Sequence, residues 1–397
     1  MAGPLSHIRV LDLSRIMAGP WAGQILADLG AEVIKIERAG IGDDTRRWGP
    51  PYLKDEEGND TAESGYYLSV NRGKKSVEVD IASESGQEVI RELAKTSDIL
   101  LENFKVGTLE RYGLGAEQLR AINPDLIYCS ITGFGQNGPK AKELAYDFMI
   151  QAMGGLMSVT GGPDGEPGAG PQKMGVPIVD IMTGMYSTIA VLAALANRND
   201  GASGEQIDIA MLDVSVAMLA NQAMNFLVSG TVPTRKGNKH PNIQPQDVFA
   251  VRDGHIVLAV GNDEQFSRFA EAIGSPELAN NPLYATNVER VRNLETLHPL
   301  IRERLLADDL AHWIDTFRAK GVPCGPINTV PMVLEEAQVK HREMLRHLPH
   351  ELSGTVPQVV SPMRFQAAPL AFDHAPPLLG EHTNDILARL GLTPTKA

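Results

Sequence analysis

The sequence predicts an α/β protein built on a Rossmann-like parallel sheet, and three observations carry that reading. Stretches of strand period alternate with stretches of helix period from residue 7 to residue 132, the pattern of a parallel sheet with helices on its faces. A run at 7–14 (H-I-R-V-L-D-L-S), a turn into a helix at 18–29 and a second run at 30–37 (G-A-E-V-I-K-I-E) make a βαβ unit at the outset. The composition adds size and class: 397 residues, 43% hydrophobic and 5% aromatic, with 38 Gly and 26 Pro, suit a loop-rich enzyme of two domains.

The first βαβ unit carries Gly19 and Gly23 but no G-x-G-x-x-G, so the dinucleotide fingerprint is missing. Its second strand ends on Glu37 and Arg38, and an arginine there reads either as a solvated strand end or as a contact for a phosphate on an adenosine ribose. Loop 41–51 (I-G-D-D-T-R-R-W-G-P-P) offers Arg46, Arg47 and Trp48 for a carboxylate contact. At 71–76 (N-R-G-K-K-S), Arg72, Lys74 and Lys75 form either a solvated face or a local anion site ahead of a strand at 77–80. A helix at 84–95, a strand at 98–103, a helix at 116–122 and a strand at 126–132 follow, leading into the loop G-F-G-Q-N-G-P. Ligands of such sheets sit beyond the carboxyl ends of the strands, where Arg38, Asn103, Phe104 and the Gly133 loop fall.

Tyr146 and Asp147 open the next helix, and a Gly/Pro loop at 161–175 leads to the apolar helix 177–198 with Asp180 at its head. Pro177 suits the first turn and Asp180 the positive end, while Ile181, Met182, Met185, Ile189, Leu192 and Leu195 predict a buried helix with a charged tip. Asp180 is thus either a cap on a core helix or a carboxylate held for chemistry. A strand at 206–212 and a helix at 214–228 come next, and the composition shift at 233–245 reads as a linker. The expected domains are 1–232, 233–330 and a C-terminal segment 331–397. The smaller, α+β domain opens with a hairpin at 248–260 turned on Asp253-Gly254, then G-N-D-E-Q-F and helices at 294–307 and 310–319. Helical spacing returns at 330–347, and 376–392 reads as a loop and a short amphipathic helix.

A net charge of −13 excludes general nucleic-acid binding. Two cysteines, Cys129 and Cys324, make neither a disulfide framework nor a cysteine zinc site and suit a reducing compartment. The ten histidines lack metal-ligand spacing, so no metal is expected. The first residues run straight into a strand, and the apolar run at 187–196 is short for a membrane span; a cytoplasmic protein without membrane partners is expected. With no serine elbow, cysteine motif or nicotinamide fingerprint, the remaining chemical candidate is a carboxylate, and Asp180 is the best placed. A helix N-terminus favours its ionised, nucleophilic form. Attack on a thioester would give a mixed anhydride that a thiolate can reopen, provided water is excluded.

These residues resemble the class III coenzyme A transferases over essentially the whole chain. The resemblance is carried by the order and spacing of V-L-D-L-S-R-I-M-A-G-P, G-A-E-V-I-K-I-E-R, N-R-G-K-K-S, E-N-F-K-V-G-T-L-E-R-Y-G-L-G, Y-D-F-M-I-Q-A, V-D-I-M-T-G-M-Y, G-N-K-H-P-N-I and L-G-E-H-T. It implies that Asp180 is the catalytic aspartate, passing through aspartyl-anhydride and aspartyl-CoA intermediates. It places Met17 and Ala18 along an acyl-CoA substrate, Arg38 and Arg111 at CoA phosphates, Asn103 and Phe104 in the CoA cleft and Tyr146 beside the acyl group. Arg72 and Lys75 join them as phosphate contacts on charge. It also implies an interlocked homodimer of ring-shaped subunits, with the small domain inserted and the last segment returning to the large one. Tyr146-Asp147 stands where the racemase branch resembles H-D, which favours transfer over racemisation. G-N-D-E-Q-F replaces the glycine run of the oxalate enzymes. The stretch 42–51 is similar to the branch that moves CoA from succinyl-CoA to glutarate, with Arg46 or Arg47 on the distal carboxylate and Trp48 on the chain; Asp147, Gly261 and Asn262 complete the expected substrate contacts. The alternatives are an acyl-CoA racemase or epimerase and a non-catalytic CoA-binding protein.

Overall fold

Alternating apolar residues send successive side chains to opposite faces of a strand, and here both faces are buried. In the computed structural model, which describes residues 3–392, strands β1 (Arg9–Asp12), β2 (Glu32–Glu37), β3 (Lys74–Glu78), β4 (Ile99–Glu102), β5 (Ile127–Thr132) and β6 (Gln206–Ala210) form one sheet. Its order is β3-β2-β1-β4-β5-β6 and every pairing is parallel. Val10, Val33, Leu101 and Ile127 face α1 (Ala18–Asp28) and the C-terminal part of the long helix Ile178–Asn199. Leu11, Ile34, Leu100 and Tyr128 face α2 (Glu84–Lys95), α3 (Ala116–Ile122) and the last helix, Thr383–Arg389. Each aliphatic side chain fully buried this way contributes about 1.5–3 kcal/mol. The order reverses between β1 and β4, so the turns after these two strands part and leave a crevice.

Two compact units share the chain. The first takes residues up to Leu156, Lys173–Met224 and Ala337 onward; the second takes Met157–Gln172 and Asn225–Glu336. The break expected at 232/233 therefore falls at 224/225. Met157–Gln172, expected in the first domain, belongs to the second, where Gly237 N–H donates to Gly161 O (3.1 Å) and Arg235 donates to Gly162 O. The second unit has an antiparallel sheet of Gln246–Val251, Gly254–Ala259 and Cys324–Pro326 over a core of Phe249, Phe266, Phe269, Trp313 and Phe317.

Three expected elements differ. The strand expected at 77–80 begins at Lys74, the helix expected at 214–228 breaks where Ala220 takes φ 42°, and the helical reading of 330–347 ends at His341. From Leu345 the chain is extended, pairing Leu345–His350 with Gly354–Val359, because Pro349 and Pro357 disfavour a helix. An antiparallel pair, Tyr52–Lys54 with Asp60–Ser64, and a one-turn helix, Gly65–Leu68, fill the connection between β2 and β3.

Candidate active site

The long helix α5 (Ile178–Asn199) follows α4 (Asp147–Met153), and the two are joined at the point that matters for Asp180. Pro177, at the N-cap, offers no side-chain acceptor, so the first-turn N–H groups need one from elsewhere. Asp147 supplies it: its Oδ1 accepts from Val179 N–H (2.8 Å) and Asp180 N–H (3.1 Å), while Gln151 donates to Oδ2. Gln151 Oε1 in turn accepts from Met174 N–H (2.9 Å). Asp147, expected as a substrate contact, is the helix cap, and Asp180, whose first reading was a cap, is not.

Asp180 is 9% exposed, and among the described residues none donates a hydrogen bond to its carboxyl group. Burial first, and the Asp147 carboxylate second, push it up to about 7. This reverses the expectation that the helix end favours its ionised form: burial outweighs the helix end, and the cap that accepts the end's N–H groups adds a negative charge of its own.

Helix α5 buries a face only partly the one expected. Leu195 is buried as expected, but Val179, Thr183, Gly184, Ser187, Thr188 and Val191 are buried too, whereas Met185 and Ile189 are exposed. Small residues let α5 approach α1 closely: a Cβ on Gly184 would lie 2.6 Å from Ala18 O. Ser187 and Thr188 spend their hydroxyls on the carbonyls of Thr183 and Gly184 (both 2.8 Å). Gly184, one turn beyond Asp180, thus sets the carboxylate beside the head of α1. By length and mean hydropathy of 1.7 α5 could span a membrane, but its buried hydroxyl face packs on α1 and β5.

A cleft of about 210 Å³ at the switch point is lined by Asp180, Tyr146, Met17, Ala18, Asn103 and Phe104, among others. The Asn103 amide brackets the turn after β1, accepting from Arg15 N–H (2.9 Å) and donating to Arg15 O (2.7 Å). Glu102, pushed up to about 7 by burial, accepts from Phe104 N–H (2.8 Å) and fixes the start of that loop. A second cleft, about 240 Å³, lies at the ends of β2 and β4, lined by Arg15, Arg38, Ile81 and Phe104. The structure therefore brings five of the expected residues, Met17, Ala18, Asn103, Phe104 and Tyr146, together around Asp180, with Arg38 close by. Exposed Arg111 lies over the Tyr112 ring and lines neither cleft.

Other expected contacts are engaged elsewhere. Arg46 is 5% exposed, its guanidinium bound to Glu37 and Glu63 at 2.8 Å and set 3.7 Å over the Tyr67 ring, so nothing remains for a substrate carboxylate. Arg72 is 2% exposed and bound to Asp28 (2.7 Å). Lys75 pairs with Glu32 (2.6 Å) near the amino ends of β2 and β3, opposite the crevice. Gly261 N–H donates to Gln265 Oε1 (2.7 Å) and Asn262 caps the helix Asp263–Ala272 in the second unit. Arg47, by contrast, is exposed and its guanidinium is unpaired among the described residues.

Sequence reasoning missed Tyr66. Trp48 packs edge-on against it (5.1 Å), and burial followed by the charge of Asp180 pushes its phenol up to about 12, which ties the Arg47–Trp48 turn to the carboxylate. Ser64, three residues before Tyr67 and capping its one-turn helix, was the only local signal. Among the described residues no three His, Cys, Asp or Glu side chains are arranged to hold a metal ion.

Fold and site define a doubly wound α/β protein with a buried carboxylate, without a hydrogen-bond donor among the described residues, at its switch point. The profile of CoA-transferase family III matches residues 5–383, and the chain belongs to that family. It is a class III CoA-transferase, an enzyme that passes coenzyme A between an acyl-CoA and an acid. It is similar to the succinate–glutarate CoA-transferase of Agrobacterium fabrum, 44% identical over 98% of this chain and 96% of the relative. The human succinyl-CoA:glutarate CoA-transferase is 40% identical over 97% of this chain and 85% of its own length. A crystal structure of a CaiB/BaiF family protein from Brucella suis superposes with a TM-score of 0.86 at 46% identity, covering 98% of this chain and 100% of that one.

Proposed function

We propose that this enzyme moves CoA from succinyl-CoA to glutarate or a similar dicarboxylate, with Asp180 as the nucleophile. One observation carries the reading: a buried carboxylate, without a donor among the described residues, opens on the cleft at the head of α1. An Asp180 oxygen attacks the thioester carbonyl carbon, the C–S bond breaks, and the thiolate leaves a mixed anhydride behind. The thiolate then attacks the Asp180 carbonyl of that anhydride and releases the donor as its free acid anion. The acceptor carboxylate attacks the resulting aspartyl thioester, again expelling thiolate; this thiolate takes the acyl group and restores Asp180. Each step exchanges one acyl bond for another of similar energy, so excluding water is what makes the sequence productive.

Arg38 beside Phe104 supports the adenosine end of CoA, and Met17, Ala18 and Asn103 the chain leading to Asp180. Arg47 is the residue left to hold the distal carboxylate, with Trp48 along the aliphatic chain. The relatives' named acids support a dicarboxylate acceptor. The working form is a homodimer: Met185, Ile189 and Leu192 of α5 line an apolar cavity of about 820 Å³ with Trp21, Val359 and Met363, away from Asp180, and such a surface suits a partner. Incubation with succinyl-CoA and a panel of acids is the test. Glutaryl-CoA formation is expected, and no new acyl-CoA with any dicarboxylate would overturn the reading.

A further inference from the structure

We propose that Asp43, clamped by Lys35, is a positioning residue for the reaction: it holds the Ile16 turn in the conformation that presents Met17 and Ala18 to Asp180. The proposal rests on the reading of Asp180 as nucleophile. Ile16 has φ 73°, a left-handed conformation that a β-branched residue adopts only when its surroundings impose it. The imposing group is identifiable. Ile16 N–H lies between both carboxylate oxygens of Asp43, at 3.3 and 3.2 Å.

Asp43 is itself immobilised. Its Oδ2 meets Lys35 Nζ at 2.9 Å, and its Oδ1 accepts from Thr45 N–H (2.9 Å) and Thr45 Oγ1 (2.7 Å). Lys35 is fully buried and donates to Ser14 O (2.9 Å), so the same pair grips the turn at two points, Ser14 O and Ile16 N–H. Asn103 grips Arg15 between them. The turn so held ends in Met17 and Ala18, on the cleft of Asp180. Asp43 also caps the short helix Asp44–Arg47 that ends at Trp48, so one carboxylate sets both the α1 turn and the Arg47–Trp48 turn.

The experiment uses the full-length chain as Asp43→Asn, Lys35→Met/Asp43→Asn and Ile16→Gly/Asp43→Asn. It reads succinyl-CoA and glutarate kinetics, thermal melting, and hydrogen exchange of the peptide over residues 13–19. Displaced reacting groups lose rate rather than affinity, so Asp43→Asn should lower kcat by about tenfold or more with KM changed less than about threefold, and should speed exchange over 13–19. Glycine takes positive φ freely, so adding Ile16→Gly should recover about threefold or more of that kcat. If Asp43→Asn does not fold, the pair with Lys35→Met, which strands no buried charge, carries the same expectation. Wild-type kcat in a folded variant, no recovery from Ile16→Gly, or a neutral pair that cannot fold would overturn the positioning role. Absence of CoA transfer by the wild type would instead overturn the functional reading, and the exchange rates over 13–19 would still decide whether Asp43 holds the turn.

Discussion

Asp43 and Asp180 are both buried at the crevice end of the first unit, Asp43 between β2 and the turn after β1, Asp180 at the head of α5. Burial alone would raise both. At Asp43 the Lys35 ammonium and the Thr45 donors more than offset it and hold the carboxyl below its usual value. Asp180 has Asp147 for a neighbour and no donor among the described residues, and it rises to about 7. A buried carboxylate surrounded by donors organises backbone, whereas one left without them is poised for chemistry.

Substituting each aspartate tests the contrast most severely. Asp180→Asn should lower kcat by about 10³-fold or more, as expected for loss of a nucleophile. Its stability should move the other way. Because the folded-state value of Asp180 lies above the unfolded one, its ionisation costs stability as pH rises from about 4 through about 7. Asp180→Asn should therefore melt no lower than wild type at pH 8, and a lower melting point would contradict its lack of donors. Asp43→Asn should cost about 3–5 kcal/mol in urea unfolding, since it takes from buried Lys35 the carboxylate it is paired with.

Adjacent arginines extend the contrast. Arg46→Ala leaves Glu37 and Glu63 buried without their partner and should cost about 3–5 kcal/mol. Arg47→Ala should leave unfolding within about 0.5 kcal/mol, as surface changes do, and raise KM for the dicarboxylate about tenfold or more by removing a charge-assisted contact. The reverse assignment of the two effects would break the account of this loop.

Asp147→Asn gives the smallest and most diagnostic change. Its amide oxygen can still accept from Val179 and Asp180 N–H, but the charge beside Asp180 is gone. With Asp180 as nucleophile the rate of the first acyl transfer should rise with pH as Asp180 ionises, and the substitution should keep its plateau and shift its midpoint below about 7. An unmoved midpoint would show that burial alone sets Asp180.

The sheet was legible because each strand and helix announces itself within about ten residues, through periods of 2 and 3.6. Asp180 was legible as the charged tip of an apolar helix, and the ordered motifs supplied its family. Pairing was not legible. Arg46 finds Glu37 and Glu63 at separations of 9 and 17 residues, Lys75 finds Glu32 at 43, and Asp147 caps α5 from 32 residues away. Two neighbouring arginines in one loop look alike in sequence, and only the fold puts one inside. The buried face of α5 was partly misjudged for a related reason: periodicity marks Met185 and Ile189 as apolar without saying that Gly184 and Ser187 give the closer fit to α1.

The central claim is that the acyl group passes through Asp180. Quenching the enzyme with hydroxylamine during turnover of succinyl-CoA, then mapping peptides by mass spectrometry, measures it directly. The account predicts a hydroxamate on Asp180 that depends on the acyl-CoA and is missing in Asp180→Asn. A hydroxamate on another carboxylate, or turnover with none at Asp180, would contradict it.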